Sequence, residues 1–433
     1  MVKLAGLFSR IAPSKIAVIG DFMLDAYTIG KASRISPEAP VAVVNVVSEE
    51  HRAGGAGNVV LNLLSMGIEV IPVGRIGNDE SSQLLCSYLN AEGVNVEGLF
   101  VQQAYRTPVK NRIIAENQQI VRIDHENVTP LCEMLEQQII DALPNLLKET
   151  QLIALSDYGK GFLSKTLISA IIEYAESRNI IVIVDPKGID FAKYSGATVI
   201  KPNLSEVYAA ANMSFDTPLE VVAAKVLSLS NAKTLMVTRA RDGISLFYPE
   251  EKQDDYSVRV HEVKDVTGAG DTVLAMLACG MASGLTIQET APLCNVAAGI
   301  AIERFGCARV TLSDLARRLL ELDKGNKVFD CDHTFALQQA LKGLQAMALN
   351  LEGANELTSS LFEELSELGT QLHSHLLVYV GNANASGSFI SMLKELQMID
   401  YILVGDLSFE SVCRTLNIQE ARKYLDCVAT KEA

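Results

Sequence analysis

Residues 152–156 read LIALS and residues 180–186 read IIVIVDP, two short runs rich in Ile, Leu and Val with a helix-length segment between them. The same alternation starts at KIAVIG (15–20) and continues through VIPVG (70–74), ATVIKP (197–202) and TLMVT (234–238). Near-continuous apolar strands separated by helices suit a parallel sheet buried on both faces. The pattern therefore predicts an α/β fold with a central, mostly parallel sheet and helices on both sides. Two stretches break the rhythm: Pro40–Val47 (PVAVVNVV), and Val109–Ala115 followed across Glu116-Asn117-Gln118 by Gln119–Ile123. Strands without intervening helices predict a small antiparallel β-lid, with its strands around 21–50 and 100–125.

At 433 residues the chain is long enough for two or three domains. With 48% hydrophobic and 21% charged residues it has a globular composition, which excludes collagen, coiled coil and wholesale disorder. Its 37 basic and 52 acidic residues leave a net charge of −15, so neither nucleic acid nor an anionic membrane is expected as a partner. Any anion must be held by a local site. The eight cysteines form no CxxC pair and MVKLAGLFSRIAPSK lacks a secretory pattern, so a cytoplasmic protein is expected. The longest uncharged run, Thr272–Gln288, has 17 residues, too short for a membrane span, and reads as a buried helix. The six histidines show no finger spacing, and His373 and His375 read as a loop or strand end. All 12 prolines lie at or before Pro292. With LELDKGNK (320–327) as the seam, this shift predicts one domain over 1–322 and a smaller one over 325–433.

The strongest chemical signal is Asp265-Val-Thr-Gly-Ala-Gly-Asp-Thr272, followed at once by an uncharged helical run. Glycines at a helix start let backbone N–H groups converge on an anion, and the helix dipole adds to the attraction. A carboxylate there would repel a phosphate unless it had a task, and the natural task for Asp271 is to accept a proton from an attacking hydroxyl. A second glycine cluster, Gly54-Gly55-Ala56-Gly57-Asn58, is not a dinucleotide fingerprint, because Val60 replaces the third glycine and SEEHRA before it does not read as a strand. It suits close backbone approach to a polyhydroxylated ligand. Asp21 and Asp25 lie at the C-terminal end of the first strand, the edge where such sheets bind ligands. Lys110 and Arg112, alternating with Val109 and Ile113, fall on one face of a strand and could hold a phosphate.

Together these motifs resemble the ribokinase-like (phosphofructokinase B type) sugar kinases over about residues 10 to 320: DVTGAGDT and GGAGN match the two signatures of that family. GDFMLDAY, SRISPEAPV, ENQQIVRID, LSDYGKG, VDPKG and KPNLSE further resemble one branch, the heptose 7-phosphate kinase half of the bifunctional enzymes that make ADP-heptose for lipopolysaccharide. The resemblance implies ATP-dependent phosphorylation of D-glycero-D-manno-heptose 7-phosphate at its anomeric hydroxyl, with ATP as donor and Mg²⁺ as cofactor. It makes Asp271 the catalytic base and Gly268, Ala269 and Gly270 the anion hole. Asn203-Leu204-Ser205-Glu206 matches the NxxE element, in which Asn203 and Glu206 organise Mg²⁺ and the ATP phosphates largely through water. Thr238, Gly243 and Asn295 fall in the adenine pocket. Asp21, Asp25, Gly55 and Asn58 would bind the sugar, and Lys110 and Arg112 its 7-phosphate, while Asp157, Lys160 and Lys187 would line the junction of the two substrates. Kinases of another sugar phosphate, and a non-catalytic sugar-phosphate sensor, are the alternatives. The family also implies a homodimer formed through the lid strands.

In the bifunctional relatives a nucleotidyltransferase domain follows, opening with NGxFDxxHxGH. Here Asn326, Phe329, Asp330 and His333 fit that motif, but Lys327, Phe335 and Ala336 replace two glycines and the second histidine. A bulky ring where backbone must approach phosphate, and a missing imidazole donor, predict a degenerate nucleotidyltransferase-like domain without adenylyltransferase activity.

Overall fold

The computed structural model of the chain describes residues 4–116, 118–250, 252–258, 263–322, 327–369, 374–381 and 386–424. Its strands are β1 (Lys15–Gly20), β2 (Phe22–Ile35), β3 (Ala42–Gly55), β4 (Glu69–Ile76), β5 (Leu99–Val101), β6 (Val109–Ala115), β7 (Gln118–His125), β8 (Leu152–Ser156), β9 (Ile181–Asp185), β10 (Val199–Ile200), β11 (Thr234–Thr238), β12 (Ile244–Phe247), β13 (Gln253–Tyr256), β14 (Val328–Phe329), β15 (Gln345–Asn350), β16 (Ser374–Gly381), β17 (Tyr401–Gly405) and β18 (Glu420–Lys423). The chain divides into two compact units: Ala12–Val310, and Met1–Ile11 with Thr311–Ala433.

The larger unit is built on a nine-stranded sheet of order β13-β12-β11-β10-β9-β8-β1-β4-β5, parallel except for the β11-β12-β13 hairpins at one edge. Ile16–Ile19 and Leu152–Leu155 are buried on both faces, as the apolar runs require. Helices complete the core: Leu167, Ile168, Ile171 and Ile172 of the helix Lys165–Glu176 pack with Ile153 and Leu155.

A second, four-stranded sheet, β3-β2-β6-β7, forms the lid. It differs from the expected flap in two ways, in its mixed pairing and in the strand character of SEEHRA, while its strands fall in the expected stretches. Its two hairpins join through a parallel β2–β6 pair, so the sheet is mixed rather than antiparallel. Residues 22–35, directly after β1, form the first of the strands expected around 21–50. SEEHRA, which did not read as a strand, lies inside β3. The reason is physical: the middle of β3 is exposed, so its residues carry no period-two apolar signal. Asn117, in the β6–β7 connection, lies outside the described residues.

The uncharged run 272–288 divides into the helix Ala269–Ala282, a turn at Gly284, and the start of the helix Ile287–Ile302. Asp271 through Gly280 are buried, so the apolar character does mark a core helix. Among the described residues no helix is long and apolar enough to cross a membrane.

The smaller unit holds an all-parallel sheet of order β14-β17-β16-β15-β18. The helix Leu312–Leu322, with Leu315, Ala316, Leu319 and Leu320 buried, groups with this unit, as does the helix Leu4–Phe8. The grouping thus differs from the expected limits of 1–322 and 325–433, and residues 323–326 of the expected seam lie outside the described residues. His375 is on β16, while His373 lies outside them.

Candidate active site

β1 ends at Gly20, and Asp21 and the start of β2 follow immediately, so the C-terminal edge of the main sheet and the root of the lid share one backbone. Asp21 is buried, and its Oδ2 accepts hydrogen bonds from the backbone N–H of Tyr158 (2.9 Å) and Lys160 (3.0 Å). Burial and the nearby Asp157 carboxylate hold its pKa above the ordinary range, against those two N–H groups. Its Oδ1 is buried without a protein partner.

The stretch Asp265–Thr272 folds around its own first carboxylate. Asp265 Oδ1 accepts from the backbone N–H (2.9 Å) and hydroxyl (2.7 Å) of Thr267, and Oδ2 accepts from the Gly306 N–H (2.9 Å). Gly268 caps the helix Ala269–Ala282 at φ 77°, a left-handed conformation suited to glycine. Any Cβ there would stand 2.8 Å from Asn58 Nδ2. Asp271 therefore falls in the first helical turn, where it is buried. Its two oxygens are held separately: Tyr158 Oη donates to Oδ1 (2.6 Å) and Asn58 Nδ2 donates to Oδ2 (2.8 Å). Burial raises the Asp271 pKa to about 7, although both hydrogen bonds stabilise its charge. Such a group ionises near neutrality and can take a proton. Burial and the adjacent Asp271 carboxylate push the Tyr158 phenol well up, so it remains a donor.

On the main-sheet side, Lys201 directly follows β10. It is 2% exposed and pairs with Asp185 Oδ1 at 3.0 Å. Burial raises the Asp185 pKa, and the lysine opposes this. A Cβ on Gly270 would lie 3.8 Å from Lys201 Nζ and 4.0 Å from Asp185 Oδ2, so this ion pair adjoins the glycine turn.

On the lid side, Asp25 pairs in register with Lys110, and Tyr27 with Arg112. Arg112 Nη1 lies 2.5 Å from Asp25 Oδ1, with its guanidinium 5.3 Å from the centre of the Tyr27 ring. Cys307 Sγ contacts the other Asp25 oxygen at 3.4 Å. Gly54 permits this packing, because a Cβ there would come within 2.3 Å of Asp25 Oδ2. Gly55 precedes the helix Ala56–Ser65, whose first turn carries Asn58.

The structure thus brings Asp21, Asp25, Gly55, Asn58, Arg112 and the Gly268–Asp271 turn together. Other candidates are engaged elsewhere. Asp157 accepts from the Gly159 N–H (2.7 Å), Tyr194 Oη (2.6 Å) and Lys193 Nζ (2.6 Å). Asn203 and Glu206 form a reciprocal cap on the helix Leu204–Ala211, which includes Ser205. Glu206 Oε1 also meets Lys187 Nζ at 2.8 Å, which raises the lysine's pKa. Thr238, at the end of β11, bridges to Asn203. Asn295 and Gly243 both approach the Tyr256 carbonyl, the amide at 2.9 Å. Tyr158, Asp185 and Lys201 were not singled out from the sequence. The available signal was a lysine directly after a parallel strand and a tyrosine inside SDYGKG.

In the smaller unit, the tail motif lies at an edge of the sheet. Strand order runs β15, β16, β17 to one side and β18 to the other, so it reverses at β15, the place where doubly wound sheets bind ligands. Asn326 lies outside the described residues. The rest of the motif surrounds β14, at the far edge beyond β17. There Phe335 packs on Phe8 with ring centres 5.4 Å apart, and buried His333 holds Asp330 at 2.5 Å. The segment after β15, Leu351–Thr358 (LEGANELT), contains neither histidine nor a cation.

Residues 13–314 match the pfkB family carbohydrate kinases. Among curated relatives, the bifunctional protein HldE of Trichlorobacter lovleyi is 43% identical over 311 residues, covering 71% of this chain and 63% of the relative. That of Desulfatibacillum aliphaticivorans is 38% identical over 367 residues, covering 83% and 73%. The match thus spans less than two thirds of the length of the first of these proteins. Solved structures share the fold: Escherichia coli phosphofructokinase-2 in complex with potassium (TM-score 0.59, 18% identity, 72% of this chain and 99% of that one) and Thermotoga maritima ribokinase (0.56, 21%, 71% and 99%). With its glycine turn, buried aspartate and β-lid on this sheet, the chain belongs to the pfkB family of carbohydrate kinases.

Proposed function

We propose that the protein transfers the γ-phosphoryl group of ATP to the anomeric hydroxyl of D-glycero-β-D-manno-heptose 7-phosphate, giving the 1,7-bisphosphate and ADP, a step toward ADP-heptose and lipopolysaccharide. The observation that carries this reading is Asp271, buried at a helix start between two hydrogen-bond donors and set to ionise near neutrality. In the reaction, Asp271 accepts the proton of the attacking hydroxyl as the new O–P bond forms and the bond to ADP breaks. The N–H groups of the Gly268–Gly270 turn, with the helix dipole, stabilise charge on the phosphoryl oxygens. Lys201, held by Asp185 beside Gly270, supplies a positive charge on the ATP side.

Asp21 and Asp25 grip sugar hydroxyls, and the unpartnered Asp21 Oδ1 offers an acceptor for one of them. Lys110 and Arg112 face the 7-phosphate, and Lys160, expected at the junction of the two substrates, joins them there because Glu126 links it to Lys110. Thr238, Gly243 and Asn295 line the base side, while Asp157 and Lys187 hold the loops between the two substrates. For magnesium, the donor chemistry fits a water-rich site. Asn203 and Glu206 supply oxygens already committed to a helix cap, and among the described residues no three acidic, histidine or cysteine side chains form a metal cage. When bound, the ion neutralises charge on the nucleotide phosphates.

The adenylyl-transfer half is read as inactive, supported by the absence of imidazole and cations in the segment after β15. Exposed Val46, Val47, Ile120, Val121 and Ile123 on the lid strands support a homodimer formed through them. The free thiols, among them buried Cys279, Cys294 and Cys307, suit a cytoplasmic location. The test is ADP release across a panel of phosphorylated heptoses and hexoses. Turnover confined to heptose 7-phosphate and absent in Asp271→Asn is expected, and turnover only on a hexose phosphate would overturn the heptose assignment.

A further inference from the structure

The two lysines assigned to the sugar's phosphate already share an anion. Glu126, immediately beyond β7 in the segment leaving the lid, places Oε1 2.6 Å from Lys160 Nζ and Oε2 3.1 Å from Lys110 Nζ. Each oxygen takes one ammonium group, as two oxygens of a phosphate would. The site is sheltered, with side-chain exposures of 14% for Lys110, 11% for Lys160 and 22% for Glu126. Lys110 also touches Asp124 Oδ2 at 3.2 Å, a carboxylate it shares with Arg122 (Nε to Oδ1, 2.8 Å), so among the described residues Glu126 is the one anion that joins the two lysines. The cluster adjoins the sugar side: Lys110 is in register with Asp25, and the Lys160 backbone N–H donates to Asp21.

A doubly charged phosphate cannot enter between the two lysines while Glu126 bridges them, because carboxylate and phosphate would repel at contact distance. We propose that Glu126 is a specificity-determining residue: its carboxylate occupies the bridge between Lys110 and Lys160 and is displaced only by a phosphate attached to a correctly held sugar. Free phosphate must compete with Glu126 alone, whereas a sugar phosphate competes with the help of Asp21 and Asp25. Unphosphorylated sugars leave the bridge closed and gain nothing from the lysines. The inference rests on the reading above that these lysines receive the substrate's phosphate.

The test measures ADP release with heptose 7-phosphate and inorganic phosphate as a competing probe. Glu126→Gln keeps the size of the side chain and removes its charge. It should strengthen competitive inhibition by inorganic phosphate about tenfold or more, and lower KM for the sugar phosphate, since two charge-assisted contacts no longer oppose either anion. Glu126→Asp, which is too short to hold both lysines, should move both quantities in the same direction by less, and serves if the first variant fails to fold. Unchanged or weaker phosphate inhibition in these variants, or a raised KM, overturns the proposal. Lys110→Met tests the underlying reading separately. If it leaves KM for heptose 7-phosphate unchanged, that reading fails. If it raises KM while the Glu126 variants are inhibited by phosphate as wild type is, the reading stands and the role given to Glu126 falls.

Discussion

Replacing Tyr158 by Phe removes one hydroxyl and nothing else from the wall around Asp271. The lost hydrogen bond is 2.6 Å long and ends on a buried carboxylate oxygen, leaving Asn58 as the remaining side-chain donor. Hydrogen bonds to charged groups contribute about 1.5–3 kcal/mol. At 1.36 kcal/mol for each tenfold change in acidity, this corresponds to about one to two pH units. The sign follows from which form the bond stabilises. Tyr158 donates to the ionised carboxylate, so its loss makes ionisation harder and raises the Asp271 pKa further above the wild-type value of about 7. The ascending limb of kcat/KM against pH, which reports the essential base of the free enzyme, should move from about 7 to about 8–9. At pH 7 the variant should be roughly 5- to 50-fold slower, and at pH 9.5 the gap should close to within about 1.5-fold. Steady-state ADP release from pH 5.5 to 10 measures this directly. A limb that stays in place, or a rate reduced by the same factor at every pH, would refute the assignment of Asp271 as base and Tyr158 as its support.

Gly54→Ala would bring a methyl group within 2.3 Å of Asp25 Oδ2 and disturb the pair with Arg112. Because misplacement of a binding group by about 1 Å can cost on the order of 10²-fold, kcat/KM for the sugar phosphate should fall by that order while KM for ATP holds. Equal losses for both substrates would count against Asp25 as a sugar ligand. Arg75 is 1% exposed and donates to the carbonyls of Pro130 (3.0 Å), Lys160 (2.6 Å) and Thr129 and to Gln102 Oε1 (3.0 Å). Arg75→Met strands these acceptors and should lower stability by at least about 3 kcal/mol in urea titration, and a loss below about 1 kcal/mol would contradict the clamp.

The main sheet was legible because β1, β8 and β9 are buried on both faces, so burial is written into consecutive Ile, Val and Leu residues. The lid was read only in part. β3 is exposed along most of its length, and nothing forces alternation on Ser48–Arg52. The GAGD turn announced itself through glycines at a helix start followed by a carboxylate, residue types that suit an anion site. Lys201 and Tyr158 did not, since their importance lies in burial and in partners far along the chain: Tyr158 reaches Asp271, and Lys201 comes beside Gly270. The NxxE element shows the reverse, as its spacing serves a helix cap as fully as it could serve a nucleotide. In the smaller unit the tail motif borders β14 at an edge of the sheet, a placement its spacing does not reveal, because motif spacing says nothing of strand order.

The most direct test is ³¹P NMR of the full-length protein incubated with ATP, magnesium and heptose 7-phosphate. A new anomeric phosphate signal that appears with ADP in wild type, and not in Asp271→Asn, is the predicted result. An unaltered substrate spectrum, or a new signal produced equally by Asp271→Asn, would contradict phosphoryl transfer through this carboxylate.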